Sequence, residues 1–250
     1  MSLHSRPATI INPAVMASCK SCSFNHFCHS PNLENCSSSH STEKSVSLNK
    51  KLSKYSLYVG RGDKLCRAKE AFHSFYIVRS GALKIYEVGL EGKERILHFC
   101  LPGEIVGFEA LHHNTYPYTV EALRETEVCK ISFENLSQLL VNNPLLLRHM
   151  FSIVGQRIEM SAYMNIANAE QRLIAFFFEM SKRMQGENNK PHIILPMARQ
   201  DIGNYLGLAA ETVSRLLTRL RTRRLISVDR KQITLSDPEK LQRIVQGEHI

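Results

Sequence analysis

Residues 198–217, Ala-Arg-Gln-Asp-Ile-Gly-Asn-Tyr-Leu-Gly-Leu-Ala-Ala-Glu-Thr-Val-Ser-Arg-Leu-Leu, leave few folds open to this chain. Ile202 and Leu206 fall one turn apart on a helix face, and Gly207 can take the left-handed conformation that ends a helix. Val213, Leu216, Leu217 and Leu220 then bury one side of a second helix. Two short amphipathic helices about a glycine turn predict a helix-turn-helix. The second helix turns Ala210, Glu211, Ser214, Arg215 and Thr218 outward near its start, where a recognition helix meets base edges. Arg215 can form two bonds to guanine O6 and N7, and Glu211 can accept from cytosine N4. Ser214 can donate to a base or a phosphate, and Thr212 and Arg199 lie among the same candidates. The competing reading is a solvated face carrying a Glu211–Arg215 pair at i,i+4.

Charge favours the nucleic-acid reading. The chain of 250 residues carries a formal net charge of +9, and between Arg199 and Lys231 eight Arg or Lys stand against three Asp or Glu. Charge so concentrated suits a polyanion. Arg221, Arg223 and Arg224 are candidate phosphate contacts. Residues 225–228 and 232–235 about Asp229-Arg230-Lys231 read as a β-hairpin wing, and a short helix with Pro238 in its first turn follows Asp237.

Upstream the periodicity changes. From about 53 to 133 short apolar runs alternate with turns: Phe75-Tyr-Ile-Val78, Leu83-Lys-Ile-Tyr86, Arg95-Ile-Leu-His-Phe99, Pro102-Gly-Glu104 and Val128-Cys-Lys-Ile131. Such spacing predicts an antiparallel barrel or sandwich. From Phe133 the pattern is helical. A short helix over 134–141 leads to Pro144, which can start a longer one reaching about Ile166. In it Leu147, Phe151, Val154, Ile158, Ser161 and Asn165 follow an alternating 4-3 spacing, a seam for pairing with a second copy or for packing on the chain's own barrel. A further helix over 171–184 places Phe176, Phe177 and Phe178 in the core, before a polar break at 186–191. The class is α+β, divided as a cysteine-rich segment (1–36), a β-domain (37–133), a pairing helix region (134–167) and a winged reader (168–250).

The cysteines suggest a second chemistry. Cys19, Cys22 and Cys28 form Cys-x2-Cys-x5-Cys, and either Cys129 or Cys36 can complete a four-thiolate set for a soft metal centre. Zn²⁺ held structurally fits the same donors. Cys66 and Cys100 lie in or beside β-type runs and read as buried small hydrophobes. The odd total of seven cysteines argues against a disulfide framework. His26, His112 and His113 read as solvated or core histidines.

Several classes are disfavoured. No apolar run approaches membrane-spanning length, and Ala14-Val-Met-Ala17 is too short for the core of a secretory signal, so the expected compartment is the cytoplasm. No Ser/His/Asp set or Gly-rich phosphate loop appears. An iron–sulfur enzyme is disfavoured too, because the radical enzymes' Cys-x3-Cys-x2-Cys is absent; no enzyme is expected.

Together these residues resemble the CRP/FNR superfamily of bacterial regulators, and its FNR branch in particular, over nearly the whole chain from Ala17. The specific marks are Cys19-x2-Cys22-x5-Cys28 with Cys129, Phe75-Tyr-Ile-Val-Arg-Ser-Gly81, Pro102-Gly-Glu-Ile-Val-Gly107, Asp201-Ile-Gly-Asn-Tyr-Leu-Gly-Leu208 and Glu211-Thr-Val-Ser-Arg215. The resemblance implies a β-roll like that of cyclic-nucleotide-binding proteins, a long dimerisation helix and a C-terminal winged helix-turn-helix. It implies an oxygen-labile [4Fe–4S] cluster on Cys19, Cys22, Cys28 and Cys129. The loaded homodimer would bind a palindrome like TTGAT-N4-ATCAA and contact RNA polymerase, responding to O2 or NO. Three departures stand out. The stretch after Cys28 is longer and Ser-rich. Thr115-Tyr-Pro-Tyr-Thr119 lacks the Arg of the cAMP clamp, so no cyclic nucleotide is expected and the roll serves as scaffold. Ser161 stands where an acid is frequent, so dimerisation is expected to be less tightly gated.

Overall fold

A computed structural model describes residues 56–141, 143–164, 168–184 and 192–248. Cys19, Cys22, Cys28, Cys36, His26 and the Ser-rich stretch lie outside them. The described chain divides into two compact units, one of residues 56–83 and 100–149, the other of 84–99 and 150–248.

In the first unit the apolar runs form strands. β1 (Ser56–Val59), β3 (Ser74–Ser80), β6 (Ile105–Val106) and β8 (Thr126–Ser132) make an antiparallel sheet in the order β1-β8-β3-β6. β2 (Lys64–Cys66) pairs with β7 (Thr119–Ala122). Their inward residues include Phe75, Ile77, Val78, Ile105, Val120 and Val128, all 2 % exposed or less. Gly81 has φ +92°, and a Cβ there would strike Thr126 and the Glu125 carbonyl, so the turn after β3 needs glycine. The rings of Phe72, Phe75 and Tyr116 meet edge-on at 5.1 and 5.5 Å. Tyr116 donates to the Ser74 carbonyl at 2.6 Å. The segment without a cAMP-clamp arginine therefore contributes a buried aromatic to the unit's interior. Helix α1 (Phe133–Val141) follows β8 directly, with Leu136 buried.

The long helix α2 (Pro144–Met164) begins at the predicted proline, and the division between units falls within it, after His149. It buries Leu146 and Met150 but leaves Leu147, Phe151 and Ile158 at 40, 68 and 66 % exposure. Val154 is half-buried and Ser161 exposed.

The second unit holds β4 (Leu83–Val88) and β5 (Glu94–Cys100), except for their outermost residues, and the C-terminal elements. Lys84 pairs with Glu94 at 3.0 Å and Arg95 with Glu87 at 3.6 Å. Helix α3 (Ala169–Met184) buries Leu173, Ile174, Phe176, Phe177 and Met180. Phe178 is only half-buried, contrary to expectation, because successive helical residues point about 100° apart and three in a row cannot share one face. The reading helices α4 (Arg199–Leu206) and α5 (Ala210–Thr222) follow. The wing has three strands rather than two: β10 (Ile226–Asp229) and β11 (Gln232–Leu235) form the hairpin, and β9 (His192–Ile194) pairs with β11 through Ile193 and Ile233. Helix α6 (Pro238–Val245) starts with the Asp237 side chain accepting from the Lys240 amide at 3.0 Å, and buries Leu241 and Ile244.

Candidate nucleic-acid interface

The geometry of the reader begins at its turn. The Ala198 amide donates to Asp201 Oδ2 at 2.9 Å and closes the start of α4. Gly207 adopts φ +65° and ends the helix, as its position predicts. Gly203 has a role that no local pattern in the sequence marks. A Cβ there would lie 2.6 Å from the Leu208 carbonyl oxygen, so only glycine lets α4 approach the turn so closely. Leu208 in return donates its amide to the Gly203 carbonyl at 2.7 Å.

Ile202, Leu206, Val213, Leu216, Leu217 and Leu220 are all buried, which fixes α5 on one side. Its other side presents Glu211, Arg215 and Thr218 to solvent, with Ala210, Thr212 and Ser214 half-buried. The Arg215 guanidinium reaches the Thr212 hydroxyl at 3.4 Å. Glu211 and Arg215 are both exposed, as a base-reading face requires. Ser214 donates its hydroxyl to the Ala210 carbonyl at 3.0 Å, and Arg199 Nη1 lies 3.5 Å from Ser214 Oγ. Ser214 thus offers a nucleic acid a hydrogen-bond acceptor before a donor.

The surrounding cations divide into two sets. Arg199, Arg221, Arg224, Arg230 and Lys231 are exposed. Arg223 is half-buried and donates to Glu170 Oε1 at 3.1 Å, while Arg219 reaches the other oxygen of Glu170 at 3.4 Å. The candidate phosphate contact Arg223 is therefore engaged within the protein. In sequence Glu170 marks only a helix start, and no local spacing signals a carboxylate whose partners lie 49 and 53 residues away.

Residues 57–143 match the cyclic nucleotide-binding domain family, and residues 171–244 match the Crp-like helix-turn-helix domain family. The chain is 35 % identical over 192 residues to the transcriptional activator protein Anr of Pseudomonas protegens, covering 75 % of this chain and 79 % of that protein. It is 37 % identical over 188 residues to the fumarate and nitrate reduction regulatory protein of Salmonella typhi, covering 73 % and 75 %. The chain belongs to the CRP/FNR family. It is a DNA-binding transcriptional regulator and not an enzyme. Among solved structures, FixK2 from Bradyrhizobium japonicum superposes with a TM-score of 0.67 at 26 % identity, over 75 % of this chain and 94 % of that one. Among the described residues of this CRP/FNR regulator, no helix is long and apolar enough to cross a membrane.

Of the four candidate metal-binding cysteines, the described residues include Cys129. It sits in the middle of β8, half-buried, opposite Ser56 of β1 on one side and Ile77 of β3 on the other. Cys66 and Cys100 are buried at 3 and 0 % exposure. Burial, helped by the charges of Glu70 and Glu109, pushes the Cys66 thiol up to about 12. His112 and His113 are exposed, their rings 4.2 Å apart.

Proposed function

We propose that this CRP/FNR regulator is a cytoplasmic, oxygen-responsive transcriptional activator that binds DNA as a [4Fe–4S]-loaded homodimer. The observation that carries the reading is the donor set: Cys19-x2-Cys22-x5-Cys28 in sequence, with Cys129 half-buried on β8 while Cys66 and Cys100 are sealed in the core. Thiolates are the ligands such a cluster takes. When bound, the cluster supplies an oxidant-labile tie between residues 19–28 and strand β8. β8 runs into α1 and then α2, so what holds or frees Cys129 can bias α2 toward or away from pairing. The relatives' own names, an activator and a fumarate and nitrate reduction regulator, agree with this reading.

Leu147, Phe151, Val154 and Ile158 form the pairing seam in the proposal. A two-fold dimer presents two copies of α5, and two recognition helices read a palindrome. The site is of the type TTGAT-N4-ATCAA, with RNA polymerase as the further partner. Ser161 adds no charge to the seam, so part of the apo protein remains paired. No step of the proposal uses a cyclic nucleotide.

Anaerobic purification with iron counted per chain, and a visible spectrum before and after air, tests the reading. Brown protein that bleaches, changes from dimer toward monomer in sedimentation and loses specific DNA affinity is the expected result. Colourless protein containing zinc would replace it with a structural zinc site on the same thiolates. Identical sedimentation and DNA affinity before and after air would leave any metal structural. Single Cys→Ser changes at 19, 22, 28 and 129 are expected to abolish iron retention, and Cys36→Ser to preserve it.

A further inference from the structure

The Asn204 side chain attaches helix α4 to strand β5. Asn204 Oδ1 accepts from the Ile96 amide at 2.7 Å, and Asn204 Nδ2 donates to the Glu94 carbonyl at 2.7 Å. The carbonyl of one strand residue and the amide two positions on point to the same edge, where a neighbouring strand would bind them. The carboxamide offers an acceptor, Oδ1, and donors on Nδ2, and its oxygen and the N–H cis to it face the same way, as the carbonyl and amide of a single residue do along a strand edge. β5 is the last strand of its sheet, so Asn204 stands beside Glu94 and Ile96 where a further strand would bind. The next residue reinforces the contact: the Tyr205 ring lies 5.2 Å from Phe99 of β5 and 5.7 Å from Phe176 of α3. Arg183 of α3 donates to the Phe99 carbonyl.

The attachment reaches the base-reading face through rigid contacts. Ile202, Gly203 and Leu206 of α4 are buried, and the Gly203–Leu208 approach fixes α5 to α4. Whatever orients α4 therefore orients Glu211 and Arg215. β5 lies within the segment matching the cyclic nucleotide-binding family, and Asn204 within that matching the helix-turn-helix family.

We propose that Asn204 is a positioning residue for DNA reading: by binding Glu94 O and Ile96 N it holds the reading helices at the angle set by strand β5. It touches no base, and it confers specificity by restricting how α5 meets the groove. An aspartate at 204 is nearly isosteric, and protonated it has the same acceptor and a donor. Ionised, it loses the donor and repels the Glu94 carbonyl. The clamp can thus be restored by pH in one variant and not in another. The neighbouring charged groups are Glu94 with Lys84, Arg95 with Glu87, and His98 from the hairpin, and Arg183 with Glu179 from α3. All are common to both variants, so a leucine at 204 carries their contribution as a control.

The test uses the full chain purified anaerobically as wild type, Asn204→Leu and Asn204→Asp. Each is titrated into the duplex that wild type recovers from a randomised pool, and into a scrambled duplex, at pH about 8 and about 5. The readout is the ratio of the two affinities relative to wild type at the same pH. N204L is expected to lose about tenfold in that ratio at both pH values. N204D is expected to lose as much at the higher pH and to recover toward wild type at the lower, where its carboxyl gains a proton. A wild-type ratio in either variant at pH about 8, or no recovery of N204D at pH about 5, overturns the proposal. A purely structural role gives the same loss in both variants at both pH values.

Discussion

Arg79 Nη1 lies 2.8 Å from Glu127 Oε1, with 4 and 9 % of the two side chains exposed. The same nitrogen donates to Ser56 Oγ at 2.8 Å, so one guanidinium joins β1, β3 and β8 two residues from Cys129. Removing one partner of a buried pair leaves the other charge uncompensated, which costs about 3–5 kcal/mol. Glu127→Ala is expected to lower the unfolding free energy by about that much in urea titration, and Glu127→Gln, which keeps an acceptor, by less. An unchanged midpoint in E127A would show that the pair contributes nothing net.

Arg215→Ala is expected to weaken binding at the selected site by about 1–3 kcal/mol and to relax preference at one base pair. Affinity for scrambled DNA should change little. Repeating the selection with the variant checks both statements; equal losses on both duplexes would remove Arg215 from the reading face.

Glu170 restrains two arginines of α5 and its C-terminal end. Glu170→Gln releases them toward phosphate, so random-sequence affinity should rise. The slope of log affinity against log salt should steepen by about 0.9 for each additional phosphate neutralised. Anisotropy titrations over a salt series give the slope, and no change would mean that Arg219 and Arg223 stay away from the backbone of the duplex.

The Cys66 thiol rises from 9.0 to about 12, chiefly through burial. Folding therefore favours the protonated thiol. Its contribution is fully present below pH 9.0 and is lost as pH rises toward about 12. In that window wild type should lose stability faster than Cys66→Ala, as followed by chemical unfolding at a series of alkaline pH values. Parallel curves would place the thiol's ionisation outside the folding equilibrium.

Gly203→Ala places a methyl 2.6 Å from the Leu208 carbonyl oxygen, a backbone atom that must shift to admit it. A cost of about 1–3 kcal/mol is expected, with loss of specific DNA binding. Thermal melts of the variant beside Gly207→Ala separate this steric effect from the conformational cost of a left-handed residue, about 1–2 kcal/mol. A Gly203→Ala melt matching wild type would mean that the α4–α5 turn relaxes freely.

The reading helices are legible in the sequence because their signals are local: apolar residues one turn apart and a glycine between. The exposed stripe of α2 is legible for the same reason, through its 4-3 spacing. What escapes is long-range or short. Strand β9 is three residues after a polar break and too brief to show a period. Glu170 with Arg223, Asn204 with β5 and Arg79 with Glu127 join residues 53, 108 to 110 and 48 positions apart, and chain proximity says nothing about such pairs. Among the cysteines, spacing marks the cluster near the start but cannot choose between Cys36 and Cys129. Cys129 is half-buried whereas Cys66 and Cys100 are sealed, a difference that the β-type runs around all three do not announce.

The bare apolar side of α2 has a consequence for gene dosage. If Leu147, Phe151 and Ile158 are covered only when two copies meet, the active species scales with the square of monomer abundance while monomer predominates. Halving the chain's synthesis then leaves about a quarter of the paired form. Copy number would then be an input to the promoter in its own right, and a cell with a stronger ribosome-binding site for this gene would shift the threshold of its response without any change in the chain.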